Sequence, residues 1–293
     1  MNITGSIVAL VTPMHLDGSV DWEALRRLVD WHVDNGTHGI VSVGTTGESP
    51  TLTETEHLDV IRVTIEQVAG RIPVIAGTGA NSTAEAIERT EEAKQLNADA
   101  SLQVVPYYNK PSQEGIYQHF KAIAEAVDLP VILYNVPGRT VADMQTETAL
   151  RLAEIDNIVG IKDATGDIAR GKELIAGAPE GFYVYSGDDP TAVELMLAGG
   201  KGDVSVTANV APAQMSHLCE LAMAGSVEEA MTLDAKLQSL HSGLFMEPSP
   251  AVPKWVLAKQ GLIANGIRLP LLPLTESSEN DISTILAEAG LAS

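Results

Sequence analysis

Cysteine is almost absent from this chain. Of 293 residues only Cys219 carries a thiol, so no intrachain disulfide is available and a reducing cytoplasm is the simplest setting. Long apolar runs are absent too. The stretch from Ile7 to Val11 is too short for a signal-peptide core or a membrane span, and Met1-Asn2-Ile3-Thr4-Gly5-Ser6 brings no basic flank. A soluble, unexported protein with no membrane contact is expected. Basic residues are scarce: 18 Lys and Arg stand against 39 Asp and Glu, a formal net charge of −21. Such a chain repels a phosphate backbone, which argues against nucleic acid as a partner. There is no HExxH and no paired-cysteine motif, and the seven histidines are scattered, so no metal site is expected. Gly77-Thr78-Gly79-Ala80-Asn81-Ser82 imitates a dinucleotide fingerprint but lacks its third glycine, so no nucleotide site is read there.

What remains is an alternation. Short runs rich in Val and Ile recur at Ile7–Val11, Gly39–Val43, Pro73–Ala76, Ser101–Val105, Val131–Tyr134, Ile158–Lys162, Phe182–Tyr185 and Asp203–Val206. Each reads as a strand buried on both faces. Between them lie amphipathic stretches with helix start signals. Asp21 precedes the first, Asn35-Gly36 ends it, and Thr53 with Glu56 forms a capping box on the second. Eight such units at roughly 25-residue spacing predict a (β/α)8 TIM barrel of the α/β class, with an open doubly wound sheet as the alternative. Residues 1–224 form the barrel on this reading. Residues 225–293 form a C-terminal helical extension packed on it, with helices at 226–245, 250–261 and 279–290.

In a barrel the chemistry gathers at the C-terminal ends of the strands. There the sequence places Thr45 and Thr46 after strand two, Tyr107 and Tyr108 after strand four, and Tyr134 ending strand five with Arg139 following. Lys162 ends strand six, and Ser186-Gly187-Asp188-Asp189 follows strand seven. Lys162 is the centre of the set, a cation at the end of an apolar run. An amine nucleophile attacks a ketone, phenols and hydroxyls pass protons, and a guanidinium offers a fork for a carboxylate. Together they suit Schiff-base chemistry on a 2-oxo acid. Taken singly, Tyr134 also reads as a core tyrosine, Thr45 and Thr46 as turn residues, and Arg139 as a surface ion-pair partner.

Gly44-Thr45-Thr46-Gly47-Glu48, Pro106-Tyr107-Tyr108-Asn109, Tyr134-Asn135-Val136-Pro137-Gly138-Arg139-Thr140 and Gly160-Ile161-Lys162-Asp163-Ala164-Thr165-Gly166 together resemble the dihydrodipicolinate (4-hydroxy-tetrahydrodipicolinate) synthase family. The resemblance runs nearly end to end, through Ser186-Gly187-Asp188-Asp189 and Ser205-Val206-Thr207-Ala208-Asn209. It implies a barrel with a helical extension, commonly a tetramer built as a dimer of dimers. It also implies condensation of pyruvate with L-aspartate 4-semialdehyde in the diaminopimelate route to lysine, without any cofactor beyond the covalent pyruvate. By the same resemblance Lys162 is the Schiff-base lysine, Tyr134 the general acid/base, and Thr45 with a neighbouring subunit's Tyr108 the proton relay. Thr46 holds the pyruvate carboxylate, Arg139 orients the semialdehyde, and Gly187 and Val204 offer backbone contacts. The family's feedback site for L-lysine maps to Ser49, Pro50, His57, Asn81, Glu85 and Tyr107. Glu54 departs from the histidine of some lysine-sensitive members, and Pro50 from their alanine. Two alternatives remain at this point. One is another pyruvate-dependent aldolase such as an N-acetylneuraminate lyase. The other is a non-catalytic barrel that binds a 2-oxo acid.

Overall fold

Eight parallel strands close into a barrel in sequence order in the computed structural model, which describes residues 3–291. Residues 1–2 and 292–293, at the ends of the two predicted units, lie outside the described residues. The strands are β1 (Gly5–Ala9), β2 (Gly39–Ser42), β3 (Val74–Gly77), β4 (Ala100–Val104), β5 (Val131–Asn135), β6 (Ile158–Asp163), β7 (Tyr183–Ser186) and β8 (Gly202–Ser205). Helices α1 (Trp22–Asp34), α2 (Glu54–Val68), α3 (Thr83–Gln95) and α4 (Gln113–Ala126) follow the first four strands. A one-turn α5 (Pro137–Thr140) and α6 (Thr146–Ala153) follow β5, then α7 (Ile168–Gly177), α8 (Ala192–Leu197) and α9 (Pro212–Met223) follow β6, β7 and β8. Three more helices follow among the described residues: α10 (Val227–Gly243), α11 (Ala251–Lys259) and α12 (Glu276–Glu288).

The start signals work as the sequence predicts. Asp21 accepts from the Ala24 N–H, and Thr53 and Glu56 form the reciprocal capping box. Asn35 caps α1 and Gly36 turns left-handed (φ 80°), which a residue without Cβ does without strain. Two elements start two or more residues earlier than the sequence predicts. β1 starts and ends earlier than the apolar run Ile7–Val11, because the Gly5 N–H bonds the Lys201 carbonyl at 2.9 Å and Gly5 pairs with Gly202. Val11 instead leaves the ladder, and its N–H goes to the Asn209 side chain at 3.0 Å. α12 begins at Glu276 rather than 279, since Thr275 accepts from the Ser278 N–H and is itself held by Glu247.

Inward-facing residues fill the barrel: Ile7 and Ala9, Val41, Ile75, Leu102, Ile132, Tyr185 and Val204 pack into one cluster. Outward-facing strand residues meet the helices. The extension shares this outer core, because Val252, Val256 and Leu257 of α11 and Ile282 of α12 join Leu28, Val29 and Val60 in a single cluster. No helix among the described residues is long and apolar enough to cross a membrane.

Candidate active site

The register between β5 and β6 fixes the central pair. Tyr134 lies opposite Lys162, and Leu133 opposite Ile161, but Val131 pairs with Ile158 and Ile132 with Gly160. One residue, Val159, is therefore extra on β6. A one-residue shift turns every following side chain to the other face of a strand. This bulge brings Lys162 onto the inward face with Ile132 and Tyr134 and sends Asp163 outward, where it meets Arg170 (2.6 Å) and the Thr165 N–H (2.8 Å). Strand alternation thus parts the adjacent carboxylate from the amine.

Lys162 is buried, and its Nζ lies 4.2 Å from the centroid of the Tyr134 ring. Its stem passes directly over Gly187. A Cβ there would come within 2.5 Å of the Lys162 Cε and 2.9 Å of its Cγ. Gly187 is therefore a clearance for the lysine, a role the motif alone does not disclose. Val204 lies on the barrel's inner wall.

Thr45 and Thr46 sit in a tight turn closed by Gly47 N–H to Gly44 carbonyl and Glu48 N–H to Thr45 carbonyl bonds, both 3.1 Å. Thr46 is buried and Thr45 half-buried. A cavity of about 550 Å³ opens above, bounded by Thr45, Tyr134, Arg139 and Thr140 on the barrel side and by Ser49, Glu54, Glu85, Arg89 and Tyr107 outward. Lys162, Thr46, Gly187 and Val204 lie off its wall, Lys162 against the ring of Tyr134, which lines it. Arg139 is exposed at the mouth on α5, a helix the sequence reading passed over because it is one turn long. Tyr108 does not join this cavity. It is 87% exposed in a left-handed conformation (φ 74°) and points away from its own barrel.

Of the residues matched to a lysine site, Ser49, Pro50, Glu85 and Tyr107 line the outer cavity. His57 lies beneath it, its Nε2 2.9 Å from the Gly77 carbonyl and its Nδ1 3.4 Å from the Ser49 hydroxyl. Burial holds this imidazole below its usual pKa, helped by the Arg89 charge. Asn81 donates to the Tyr107 carbonyl at 3.1 Å. Arg89 was not singled out from sequence. It ion-pairs with Glu54 and, at 2.7 Å, with Glu85 one turn earlier on α3, a spacing that was legible. Its hydrogen bond keeps Glu54 below the ordinary carboxylate range, against burial.

One expectation is corrected. Asp189 is not a carboxylate at the mouth. It is buried, accepting from the Ser205 hydroxyl and, at 3.0 Å each, from the Val206 and Thr207 N–H groups, so it ties the β8 loop to β7. The glycines of the apparent dinucleotide fingerprint, where no nucleotide site is expected, have a packing role. A Cβ on Gly77 would lie 2.5 Å from the Val43 carbonyl oxygen and one on Gly79 2.4 Å from the Val104 nitrogen. Among the described residues no group of three or more His, Cys, Asp or Glu side chains is arranged to hold a metal.

Asp203, on the outward face of β8, lies beside Asp189 and is fully buried. Burial and the Asp189 charge push its pKa well above the usual 3.8, which favours its protonated form. Asp189 stays below its usual value despite burial, through His241 and the donors just named. The sign follows. A carboxyl raised in the folded state contributes fully below its unfolded value near 3.8 and loses that contribution as pH climbs toward its folded value. We expect Asp203→Asn to gain on the parent chain as pH rises from 4 to 8, by up to about 1.4 kcal/mol per unit. Urea melts across that range measure it; a gap that does not change with pH contradicts a raised Asp203 pKa.

The whole chain aligns with proteins of one kind. Residues 2–289 match the model of the dihydrodipicolinate synthetase family. A protein of Azoarcus sp. (strain BH72) named 4-hydroxy-tetrahydrodipicolinate synthase is 60% identical over 289 residues, 99% of each chain. The crystal structure of chloride-inhibited dihydrodipicolinate synthase from Acinetobacter baumannii, complexed with pyruvate, superposes with a TM-score of 0.98 at 59% identity, covering 99% of both chains. The enzyme from Cyanidioschyzon merolae with lysine bound superposes at 0.95 with 41% identity, over 99% of this chain and 100% of its own.

Proposed function

This chain belongs to the dihydrodipicolinate synthetase family, and we propose on that premise that Lys162, Tyr134, Thr45, Tyr108, Thr46 and Arg139 carry its chemistry. The reaction is the condensation of pyruvate with L-aspartate 4-semialdehyde to 4-hydroxy-tetrahydrodipicolinate, a lyase-class step in the diaminopimelate route of lysine biosynthesis. Lys162 Nζ attacks the pyruvate C2 carbonyl, and the carbinolamine loses water to give an imine. Loss of a C3 proton gives an enamine, whose C3 attacks the aldehyde carbon. The aldehyde oxygen takes a proton to become the 4-hydroxyl, and the semialdehyde's amino group then adds to the regenerated imine carbon, closing the ring and releasing the Lys162 amine. The enamine supplies the electron pair for the new bond, so no separate cofactor is required. Tyr134 and Thr45 pass the protons that leave the amine and join the departing hydroxide. Thr46 receives the pyruvate carboxylate with its hydroxyl and N–H, beside Gly187 and Val204. Arg139, exposed at the mouth, receives the semialdehyde carboxylate.

The observation that carries this reading is the Lys162 amine 4.2 Å from the Tyr134 ring centroid, on a stem given room by Gly187. The test is to incubate the protein with pyruvate, reduce with borohydride, and map the adduct by mass spectrometry. A stable secondary amine on the Lys162 peptide is expected; an unmodified Lys162 overturns the mechanism.

The outward Tyr108 supports an active form of at least two subunits, arranged as a tetramer of paired dimers, in which Tyr108 enters the neighbour's site. A fully active monomer in sedimentation would contradict this. The outer cavity supports inhibition by L-lysine, whose ammonium groups suit Glu85 and Glu54. Arg89 already pairs with both, so inhibition should be weak. We expect millimolar lysine to slow the steady-state rate and Arg89→Ala to strengthen the effect; a rate indifferent to lysine removes the site. A cytoplasmic setting fits the single, buried Cys219.

A further inference from the structure

The turn that carries Thr45 and Thr46 is bracketed by two residues in the left-handed region, Val43 (φ 52°) and Glu48 (φ 58°). Neither is glycine, and such backbone persists only where its surroundings over-determine it. The constraint on Glu48 comes from the far end of the chain. Its buried carboxylate accepts from the Lys254 Nζ of α11 through one oxygen and from the Arg268 N–H, at 3.2 Å, through the other. The Arg268 guanidinium then reaches over the same loop. It donates to the Thr51 and Gly18 carbonyls, both at 2.7 Å, and forms a two-pronged pair with Glu56 at 2.8 and 2.6 Å. Both oxygens of Glu48 are thus satisfied by groups more than 200 residues away in sequence, while the barrel contributes the loop's internal bonds and one hydroxyl, that of Thr12 on the Gly47 carbonyl.

We propose that Glu48, Lys254 and Arg268 are positioning residues for the reaction, by which the C-terminal extension holds the Thr45-Thr46 turn in its working conformation. The proposal rests on the Schiff-base reading above. A buried ion pair is a poor stabiliser by itself, since drawing both charges out of water offsets most of their attraction. Burial pulls the Lys254 amine toward neutrality and only the Glu48 charge holds it up, so the pair survives as a fixed geometry rather than as a source of stability. What it fixes is the residue that ends the turn. Glu48 N–H closes on the Thr45 carbonyl, so movement of the carboxylate is passed straight to the Thr45 backbone. A displacement of about an ångström in a proton-passing group is enough to slow a reaction by up to a hundredfold.

The test separates positioning from stability. Lys254→Met leaves Glu48 buried and unpaired, and both melting temperature and turnover should fall. The double variant Glu48→Gln with Lys254→Met removes both charges at little change in volume. Its melting temperature should return close to the parent's, while kcat/KM for pyruvate and the rate of borohydride-trapped adduct formation stay about tenfold or more below it. A double variant that regains parent kinetics together with parent stability overturns the proposal. Arg268→Met, on the more open side of the brace, keeps the experiment decisive if the buried variants do not fold. It should raise KM for pyruvate severalfold with the fold intact, and unchanged kinetics would again overturn the proposal. A parent protein that traps no pyruvate on Lys162 brings down the Schiff-base reading and this inference together. A parent that traps it, with variants equally fast, brings down this inference alone.

Discussion

Lys162→Ala should yield no pyruvate adduct on borohydride reduction, and its condensation rate should fall by about four orders of magnitude or more, as when a covalent nucleophile is deleted elsewhere. The amine is the one group here that turns the pyruvate carbonyl into an electron sink and its methyl carbon into a nucleophile. Among the described residues the other buried lysine, Lys254, is held by Glu48 behind the Thr45-Thr46 turn and does not substitute. The truncation removes a buried stem packed over Gly187, so some stability is lost too. Circular dichroism and a thermal melt separate that from the catalytic loss. Lys162→Arg keeps charge and length, yet a guanidinium does not form the imine, and it should be equally inactive. Turnover in either variant within tenfold of the parent would refute the assignment.

Tyr134→Phe should slow turnover by about a hundredfold or more while leaving the fold and the adduct on Lys162 in place. The ring remains in the inner cluster and over the Lys162 ammonium, so packing and the cation–π contact persist. Only the hydroxyl is lost. The phenol lines the cavity beside the amine, where protons must move as carbinolamine becomes imine and imine becomes enamine. Slower adduct formation that still reaches the parent's final extent is the pattern of a missing proton carrier. A variant within about twofold of the parent in kcat leaves Tyr134 as a packing residue, the plain reading its burial alone allows.

Much of the architecture was legible because it is local. Thr53 and Glu56 announce the start of α2 through a three-residue spacing, and both bonds form. Asn35-Gly36 ends α1 for a backbone reason carried by glycine itself. The illegible parts were those where a distant segment decides. Asp189 looks like a solvated acid beside Asp188, yet three donors from the β8 loop draw it inside. Glu48 looks like the polar end of a turn, and only α11 and Arg268 make it a buried anchor.

Lys162 shows the division most sharply. Its sequence determines that a lysine stands near the end of the sixth strand and Tyr134 near the end of the fifth, and that Thr45 and Arg139 follow theirs, because strand order and the common end of a parallel barrel come from apolar patterning. Whether that lysine faces the barrel or the helices was decided elsewhere. A strand's side chains alternate, and the extra residue at Val159 inverts the alternation for all that follow. That bulge exists only as a relation between β5 and β6. With it, Lys162 meets Tyr134 over Gly187 and Asp163 turns out to Arg170; the pairing of two strands, which no single stretch encodes, makes the amine a reagent.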